Sequence, residues 1–347
     1  MSHKMKAALD DGIGRYVVQE VDMPQMFDGA ALVRVRETGI CGSDLHMTDA
    51  RTEAQELPSG HEVAGEIVEL PAGEMRLKVG DRVAMETIGA GKACLKCHYC
   101  RFGQYRHCQW KVAESGGGFA EYMTRRPEGL FKLPDGMDWV DGALVEPMAV
   151  SVHALRYAGM KPGDVVGVIG SATIGLSSIA AAHAFGARKV IASAKYPHQA
   201  QVARRLGADV VVGVEPGEFE EACRDANGGL GADMVVESVG GNQNAAFQQA
   251  IAATRPQGRM VNLGGVRVPL KFDFFDAGLR EIAVFSVSCY DVIDGVHDYE
   301  VAIDLLASGN VPYRSIVTHK YSLDDIQDGF KAAYDKNSGS IKVHITQ

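Results

Sequence analysis

The chain has 347 residues, more than a single hydrophobic core usually serves, so two domains of ordinary size are expected. It is 46% hydrophobic and 23% charged, a balance that is typical of globular proteins and excludes a disordered or fibrous chain. Acidic residues outnumber basic ones by 44 to 35 and the net charge is −9. The chain therefore lacks the basic surplus that is typical of nucleic-acid-binding proteins.

The first ten residues, MSHKMKAALD, contain no apolar segment of the kind that a secretory signal requires. A longer stretch, residues 165–187, lacks Asp, Glu, Lys and Arg, but it contains four glycines and four Ser/Thr residues. This composition favours a strand, a turn and a helix of a buried parallel sheet over a membrane span. We therefore expect a cytoplasmic protein that does not insert into a membrane.

Two different sequence patterns, one before about residue 135 and one after about residue 160, predict two kinds of domain. Short β-branched segments separated by Gly, Pro and Asp fill the first 135 residues, for example 31–36, 62–70 and 81–85. From about residue 160, apolar strands alternate with helical segments. The strands are predicted at 165–169, 190–192, 209–212, 233–236, 259–262 and 282–287, and two of the helices at 174–185 and 198–206. This alternation predicts an α/β fold with a doubly wound parallel sheet of the Rossmann type.

The end of the chain predicts a discontinuous first domain. Two helical segments, 299–307 and 323–336, precede one strand at 340–345. A single short strand is not stable alone, so we expect it to return to the first domain. The predicted domains are residues 1–153 with 288–347, and residues 154–287.

Four of the seven cysteines are clustered, with the spacing Cys94-x2-Cys97-x2-Cys100-x7-Cys108. Four thiolates at this spacing can close a tetrahedron around one zinc ion and leave no position for a substrate. The cluster therefore predicts a structural zinc in a lobe at residues 91–110. An iron–sulfur cluster also uses four thiolates, but its common spacings differ, and four crowded free thiols would be prone to oxidation.

A second set of metal-ligand types lies outside this cluster. Cys41 begins the segment CGSDLH, and His61 and Glu62 are adjacent, so a sulfur, an imidazole and a carboxylate are available. A lone cysteine or histidine is usually a packing or surface residue. Together, however, the three offer the donors of a catalytic zinc with three protein ligands and one open position.

These residues belong to a series of motifs: GICGSDLH (39–46), GHEVAGEIV (60–68), KVGDRVAM (78–85), GGFAEY (117–122) and ALVEPMAVSVHA (143–154). With them the chain resembles the zinc-containing medium-chain alcohol dehydrogenases, most closely their sorbitol dehydrogenase branch, over nearly its whole length. The resemblance implies a β-rich GroES-like catalytic domain beside the Rossmann domain. It implies that Cys41 and His61 bind the catalytic zinc, with Glu62 or Glu146 as the third ligand, directly or through a water.

The resemblance also implies a proton relay through Ser43 and His46, which lie two and five residues after Cys41. A zinc ion acts as a Lewis acid and lowers the pKa of a bound alcohol, so that an alkoxide forms near neutral pH. The proton then leaves through the Ser43 hydroxyl and the cofactor ribose to His46, since an imidazole titrates in the range that suits a shuttle. Hydride moves from the alcohol carbon to a nicotinamide.

A glycine-rich turn after the strand at 165–169 predicts the site of the dinucleotide pyrophosphate. Its residues are Gly170, Ala172, Thr173, Ile174 and Gly175. Ala172 replaces the middle glycine of the usual G-x-G-x-x-G pattern and adds only a methyl group, so we expect binding to persist. By analogy two further strand ends contact the cofactor, at Val239 and Gly240 and at Leu263 and Gly264.

The end of the second strand predicts NADP in preference to NAD. An acidic residue about 20 positions after the glycine turn usually binds the adenosine ribose hydroxyls of NAD. Here the position is occupied by Ala194, between Ser193 and Lys195. Without a carboxylate a 2′-phosphate is not repelled, and Ser193 and Lys195 can bind it. NAD remains the alternative, with Lys195 a solvated loop residue.

The predicted substrate is a small secondary alcohol or its ketone: a polyol, sugar alcohol or sugar acid. Cys289 stands where the sorbitol branch typically has an arginine, and Met47 replaces the aromatic residue that commonly follows the relay histidine. One alternative is therefore an NAD-dependent dehydrogenase of the threonine or butanediol type. A zinc-binding interaction module without catalysis is an alternative of another class. Because family members are dimers or tetramers, the resemblance implies a homodimer or homotetramer.

Overall fold

The computed structural model describes residues 4–113 and 115–347. They form two compact units. The first comprises the residues up to Glu146 with Asp294–Ala307 and Val317–Gln347, and the second comprises Pro147–Ile293 with Ser308–Ile316. The boundaries predicted from the sequence, after residues 153 and 287, remain a prediction. Within the described residues, no helix combines the length and apolar character needed to span a membrane.

The strands are β1 (Lys4–Asp10), β2 (Tyr16–Asp22), β3 (Ala31–Ile40), β4 (Glu62–Glu69), β5 (Arg82–Met85), β6 (Tyr122–Arg125), β7 (Leu130–Lys132), β8 (Val165–Ile169), β9 (Lys189–Ser193), β10 (Val210–Val212), β11 (Ala232–Glu237), β12 (Thr254–Asn262), β13 (Ala283–Ser286), β14 (Val292–Ile293), β15 (Val296–His297), β16 (Val317–Ser322) and β17 (Lys342–Thr346). The helices are α1 (Gly42–Ala50), α2 (His98–Arg101), α3 (Trp139–Ala143), α4 (Val145–Tyr157), α5 (Thr173–Ala184), α6 (Pro197–Arg205), α7 (Glu218–Ala226), α8 (Ala245–Ala253), α9 (Phe274–Leu279), α10 (Asp298–Ala307) and α11 (Ile326–Tyr334).

The first unit is built on a mostly antiparallel sheet with the strand order β16-β17-β3-β4-β5-β7, in which β6 also pairs with β3. Alternate residues of β3, β4 and β5 face a core that includes Val33, Ile67 and Val83, each with no exposed surface. β17 pairs antiparallel with β3, so the predicted return of the last strand to this part of the chain is confirmed.

The second unit is a six-stranded sheet with the order β10-β9-β8-β11-β12-β13, and every neighbouring pair is parallel. All five residues of β8 are buried, as expected for a central strand that is covered on both faces. The charge-free stretch 165–187 therefore forms β8, a turn and α5, as predicted. The strand order reverses at β8. In open parallel sheets the carboxyl ends of the strands at such a reversal are the usual place for a bound ligand.

Candidate active site

Two neighbouring strands bring the predicted ligands of the catalytic metal together. β3 ends at Ile40, directly before Cys41, and β4 begins at Glu62, directly after His61. The two strands pair antiparallel with Gly39 opposite Glu62, so the end of one adjoins the start of the other. One ligand atom each from Cys41, His61 and Glu62 lies within 4.8 Å of the other two. The three residue types that the sequence singled out are thus close enough to share one ion.

Asp44, which the sequence analysis did not single out, organises this group. It lies on α1 with only 1% of its surface exposed. Its Oδ2 accepts a hydrogen bond of 2.9 Å from the backbone N–H of Cys41, and its Oδ1 lies 3.6 Å from Nδ1 of His61. A carboxylate that faces one ring nitrogen orients the imidazole and leaves Nε2 for a metal.

The negative charges around His61 favour the binding of a cation at this position. Burial alone would lower the pKa of His61, but the negative charges of Asp44, Cys41 and Glu146 raise it well above its usual value. Burial also raises the pKa of Asp44. A buried imidazole that attracts a proton so strongly will equally attract a divalent metal ion, which binds in place of that proton.

Glu62 carries a further partner that was not predicted, Lys342 of β17. Each side chain is 1% exposed, and Nζ of Lys342 donates to both carboxylate oxygens at 2.6 Å and to the carbonyl of Ile40 at 3.0 Å. Burial would raise the pKa of Glu62, but Lys342 holds it below its usual value. Burial would lower the pKa of Lys342, but Glu62 raises it. The carboxylate is accommodated because residue 39 is glycine: a Cβ there would lie 1.9 Å from Oε2.

Glu146, Ser43 and His46 were also predicted for this site. Glu146 is 5% exposed and its charge raises the pKa of both His61 and Lys342, although it is not among the three residues with mutually close ligand atoms. Ser43 is half-buried in the first turn of α1, and His46 is exposed one turn later. Residues three apart on a helix share one face, so Ser43 and His46 are neighbours.

The four clustered cysteines converge at a second centre. Their sulfur atoms all lie within 4.8 Å of one another, with Sγ of Cys97 and Cys100 3.4 Å apart and Sγ of Cys94 and Cys100 3.9 Å apart. Zn–S bonds of about 2.3 Å in a tetrahedron place sulfurs at a similar spacing, about 3.8 Å. Burial would raise the pKa of Cys97, but backbone N–H groups led by that of Gln109 lower it to about 6. The group fits a thiolate-bound metal ion.

In this lobe the four clustered cysteines take the place of a hydrophobic core. The apolar cluster of the lobe consists of Ala93 and the cysteines, with Leu95 and Tyr105 packed beside them. Backbone N–H groups also point at the sulfurs, since Cys94 N donates to Sγ of Cys108 at 3.2 Å and Cys97 N to Sγ of Cys94 at 3.4 Å. So few apolar side chains would not order the lobe without a cross-link.

A cleft of about 520 Å³ lies beside the first centre, entirely within the first unit. His61 and Asp44 form part of its wall, so a molecule in the cleft is next to the candidate metal position. Pockets of this volume hold small molecules of the size of a sugar. Its other lining residues are Met47, Gln55, Leu57, Pro58, Ser59, Gly60, Thr87, Ile88, Lys92, Arg106, Lys111, Val112, Gly116, Gly117 and Arg125.

In the second unit, the glycine-rich turn connects β8 to α5. Gly170 has a φ of +93°, which favours glycine, and Ala172 is the N-cap of α5. A Cβ on Gly175 would lie 1.9 Å from the carbonyl oxygen of Gly170, so this glycine permits the close packing of helix against turn. Thr173 and Ile174 form the first turn of α5. The N–H groups of a helix start are a suitable site for a pyrophosphate.

Ser193, Ala194 and Lys195 follow one another at the end of β9. Ser193 is 3% exposed, and its hydroxyl accepts a hydrogen bond of 3.1 Å from the N–H of Gly170, which joins the strand end to the glycine turn. Ala194 is buried, whereas Lys195 is exposed, with Nζ 5.6 Å from the ring centre of Tyr196. Of the three, Lys195 is the side chain that solvent and ligands can reach.

The two remaining segments that were predicted to contact the cofactor are held together by a buried residue, Glu237. Glu237 ends β11, has no exposed surface, and accepts hydrogen bonds from the N–H groups of Val239 at 2.8 Å and Gly240 at 2.9 Å. Burial raises its pKa. The N–H groups of Leu263 and Gly264 donate to the backbone carbonyl of the same residue, at 2.9 and 2.8 Å. Glu237 thus fixes both predicted segments at the carboxyl edge of the sheet.

Asp44, Lys342 and Glu237 were missed, and each left a signal. Asp44 follows Cys41 by three residues, the spacing at which a side chain can cap a helix start. Lys342 lies in the short strand KVHIT, where a lysine between apolar residues indicates a buried partner. Glu237 directly follows the apolar run Met234–Val236, at the carboxyl end of a strand of the parallel sheet.

Comparisons with known proteins agree with this geometry. A family model described as alcohol dehydrogenase GroES-like domain matches residues 28–135, and one described as zinc-binding dehydrogenase matches residues 173–308. Sorbitol dehydrogenase of Bacillus subtilis (strain 168) is 31% identical over 98% of this chain and 97% of its own. A protein named probable D-xylulose reductase A, of Arthroderma otae, is 34% identical over 92% of each chain. The crystal structure of a zinc-binding dehydrogenase of Sinorhizobium meliloti 1021 bound to NADP has a TM-score of 0.85 at 27% identity, covering 99% of this chain and 100% of that one.

These matches confirm both the resemblance stated from the motifs and the predicted fold class, a GroES-like domain with a Rossmann-type parallel sheet. The chain is therefore an alcohol oxidoreductase that belongs to the zinc-type medium-chain alcohol dehydrogenase family, in its sorbitol dehydrogenase-like branch.

Proposed function

We propose that this enzyme transfers hydride between NADP(H) and a secondary alcohol or its ketone, with a polyol, sugar alcohol or sugar acid as the substrate. The observation that carries the proposal is the close approach of the ligand atoms of Cys41 and His61 beside a cleft of about 520 Å³, with the carboxylate of Glu62 within 4.8 Å of both and the buried Glu146 near enough to raise the pKa of His61. Relatives named for sorbitol and D-xylulose support a polyol substrate.

Cys41, His61 and Glu146 would hold the catalytic zinc, and Glu62 would stay paired with Lys342. Both oxygens of Glu62 already accept hydrogen bonds from Nζ of Lys342. Moving Glu62 to the metal would leave a fully buried ammonium without its counter-charge, which is strongly unfavourable. Glu146 is buried and close enough to affect His61 electrostatically. Cys94, Cys97, Cys100 and Cys108 would hold the structural zinc.

A zinc ion held there would supply Lewis acidity, which makes an alcohol group easier to deprotonate near neutral pH. Residues of this chain orient the metal ligand and carry the substrate proton to solvent. Asp44 fixes the orientation of His61, and the Ser43 hydroxyl accepts the substrate proton and passes it on. His46, exposed on the same face of α1, exchanges that proton with solvent.

The proposed preference for NADP rests on the end of β9. Ala194 occupies the position at which an acid would bind the ribose hydroxyls, and Lys195 is exposed beside it. An exposed lysine can pair with a 2′-phosphate, while a carboxylate would repel it. Gly170, Ala172, Thr173, Ile174 and Gly175 would bind the pyrophosphate.

The test is the double variant Ala194→Asp with Lys195→Asp. We expect the wild-type enzyme to have the higher kcat/KM with NADPH and the variant to have the higher kcat/KM with NADH. The matched control is Lys189→Asp, which changes a charge on the same strand at the opposite end. An unchanged ratio of the two kcat/KM values in the double variant would show that the adenosine phosphate is recognised elsewhere.

We also propose that the enzyme is a homodimer or homotetramer. β13 is one of the two edge strands of the parallel sheet, and Val284 on it is 43% exposed. On the preceding helix α9, Phe274 and Phe275 are each 76% exposed. Exposed apolar surface beside an unpaired edge is typical of a contact with another chain. Light scattering during gel filtration should give at least twice the mass of 37.2 kDa, and Val284→Lys should lower it.

A further inference from the structure

The lobe at residues 91–110 has a charge opposite to that of the rest of the chain. It contains four Lys/Arg residues and two His residues but no Asp or Glu. The residues outside it carry a net charge of −13, four more negative charges than the −9 of the whole chain. Four thiolates with one Zn²⁺ would carry two negative charges, so the lobe stays positive with the metal bound. The chain as a whole lacks a basic surplus, but this lobe has one and attracts anions.

Two of the four basic side chains are available to a partner molecule. Lys92 and Arg106 already have interactions of their own within the chain. Lys96 and Arg101 are both exposed, and neither forms an ion pair with a carboxylate of the described residues. Arg101 is the last residue of α2, and Lys96 lies two residues before the start of that helix. These two cations therefore present unneutralised charge to solvent.

The large apolar side chains that the lobe exposes are all aromatic. Trp110 and Phe102 are each 64% exposed, and Tyr99 is 37% exposed. Two exposed imidazoles extend this surface, since the ring centre of His98 lies 5.0 Å from that of Phe102 and 5.4 Å from that of Tyr99. Tyr99 in turn lies 5.7 Å from His107, so four rings form a continuous row. Flat rings without exposed aliphatic neighbours suit the faces of nucleobases better than the acyl chains of a membrane, for which Leu is also typical.

The backbone places the two cations beside these rings. The N–H of Gln109 donates a hydrogen bond to Sγ of Cys97. Trp110 follows Gln109 and Lys96 precedes Cys97, so this ring and this ammonium flank the same contact. Arg101 lies on α2, the helix that carries two members of the ring row. Each exposed cation of the lobe is thus next to an exposed aromatic surface.

We propose that the lobe binds single-stranded nucleic acid, with bases stacked on Trp110 and on the ring row and with phosphates paired to Lys96 and Arg101. Cations that follow the phosphates and rings that stack with the bases are the means by which proteins bind single strands without sequence preference. A duplex keeps its bases stacked inside and would gain from the two charges alone. This binding does not depend on the proposed reaction, because no residue of the catalytic site takes part in it.

The fluorescence of Trp110 tests the stacking directly. The chain has two tryptophans, so Trp139→Phe leaves Trp110 as the single reporter. We expect oligo(U) or oligo(dT) of about 12 nucleotides to quench this fluorescence in the zinc-loaded protein, and a duplex or polyglutamate to leave it unchanged. Two neutralised phosphates predict that the affinity falls about sevenfold as salt rises from about 0.05 to about 0.2 M. Quenching by the RNA strand, the DNA strand or both supports the proposal and shows which strand is bound.

Variants are compared by the fluorescence anisotropy of a labelled oligo(U). Trp110→Ala should weaken binding about tenfold, as expected for the loss of one stacked base. Lys96→Gln and Arg101→Gln should each halve the slope of log Kd against log salt concentration. The matched control is Lys161→Gln, an exposed lysine outside the lobe, which should change neither quantity. An unchanged zinc content in each variant shows that the lobe is still folded.

Three results would overturn the proposal. The first is an absence of oligonucleotide binding at low salt. The second is equal affinity for oligo(U), a duplex and polyglutamate, because the lobe would then recognise negative charge without the bases. The third is binding to phosphatidylglycerol vesicles, or a fall in the mass of the protein in Trp110→Ala, without any binding of oligonucleotides. The aromatic surface would then contact a membrane or a second copy of the chain.

Discussion

Replacing Lys342 with methionine should destabilise the first unit strongly, although Lys342 is remote from Glu62 in sequence. The variant keeps the volume and the apolar stem of the side chain but removes the charge. It leaves the carboxylate of Glu62, 1% exposed, without the ammonium that now lies 2.6 Å from both oxygens. Because both groups are withdrawn from solvent, screening by water is weak. Removal of one partner of such a pair costs about 3–5 kcal/mol of the free energy of unfolding.

Urea unfolding at pH 7 of proteins with equal zinc content measures this loss. The pKa of Glu62 is held below its usual 4.5, and that of Lys342 is raised above its usual 10.5. The stabilisation from the pair is therefore complete between these two values. It declines as the pH falls through the lowered pKa of Glu62 or rises through the raised pKa of Lys342. A neutral pH lies well inside this window.

The matched control is the double variant Lys342→Met with Glu62→Gln, in which neither charge remains. It should recover a large part of the stability lost by Lys342→Met, with a coupling free energy of at least about 2 kcal/mol between the two sites. A loss below about 1 kcal/mol in the single variant, or simple additivity in the double variant, would refute the assignment of a buried ion pair.

Three further substitutions test other contacts. Asp44→Asn removes the charge that orients His61 and should weaken zinc binding about 10–100-fold in competition with a chelator. If the variant bound zinc as tightly as the wild type, Asp44 would not have this orienting role. Gly39→Ala places a Cβ 1.9 Å from a carboxylate oxygen and should lower the urea midpoint, while Gly278→Ala, with no atom within 4 Å of its Cβ, should not. Glu237→Ala should lower the free energy of unfolding by about 1–3 kcal/mol, because it leaves the N–H groups of Val239 and Gly240 without an acceptor. Glu237→Gln keeps an acceptor oxygen and should lower it less. Equal losses in the two variants would show that these hydrogen bonds are not the cause.

The parallel sheet was predictable because each of its strands has a local signal. β8 coincides with the predicted segment 165–169, since a strand covered on both faces is a continuous apolar run. β2 was not predicted, because most of its residues are at least partly exposed and its sequence YVVQEVD has no clear alternation. The pattern of burial that defines such a strand exists only after the sheet has formed.

Helix α1, which follows Cys41 at the candidate active site, could not be predicted from the sequence either. Its sequence GSDLHMTDA has few apolar residues, so no helical periodicity was visible between Cys41 and His61. The start of the helix is instead stabilised by Asp44, whose side chain accepts a hydrogen bond from the N–H of Cys41. The ligand types were predictable from spacing and resemblance. The pairing of Glu62 with a lysine 280 residues away was not, because it depends on β3, β4 and β17 adjoining in one sheet.

The zinc content of the wild-type protein and of Cys41→Ser tests the central claim most directly. The account predicts two zinc ions per chain in the wild type and one in the variant, with alcohol oxidation abolished and the four-cysteine centre still occupied. One zinc ion per chain in both proteins would contradict it, because Cys41, His61 and their carboxylate neighbour would then hold no metal.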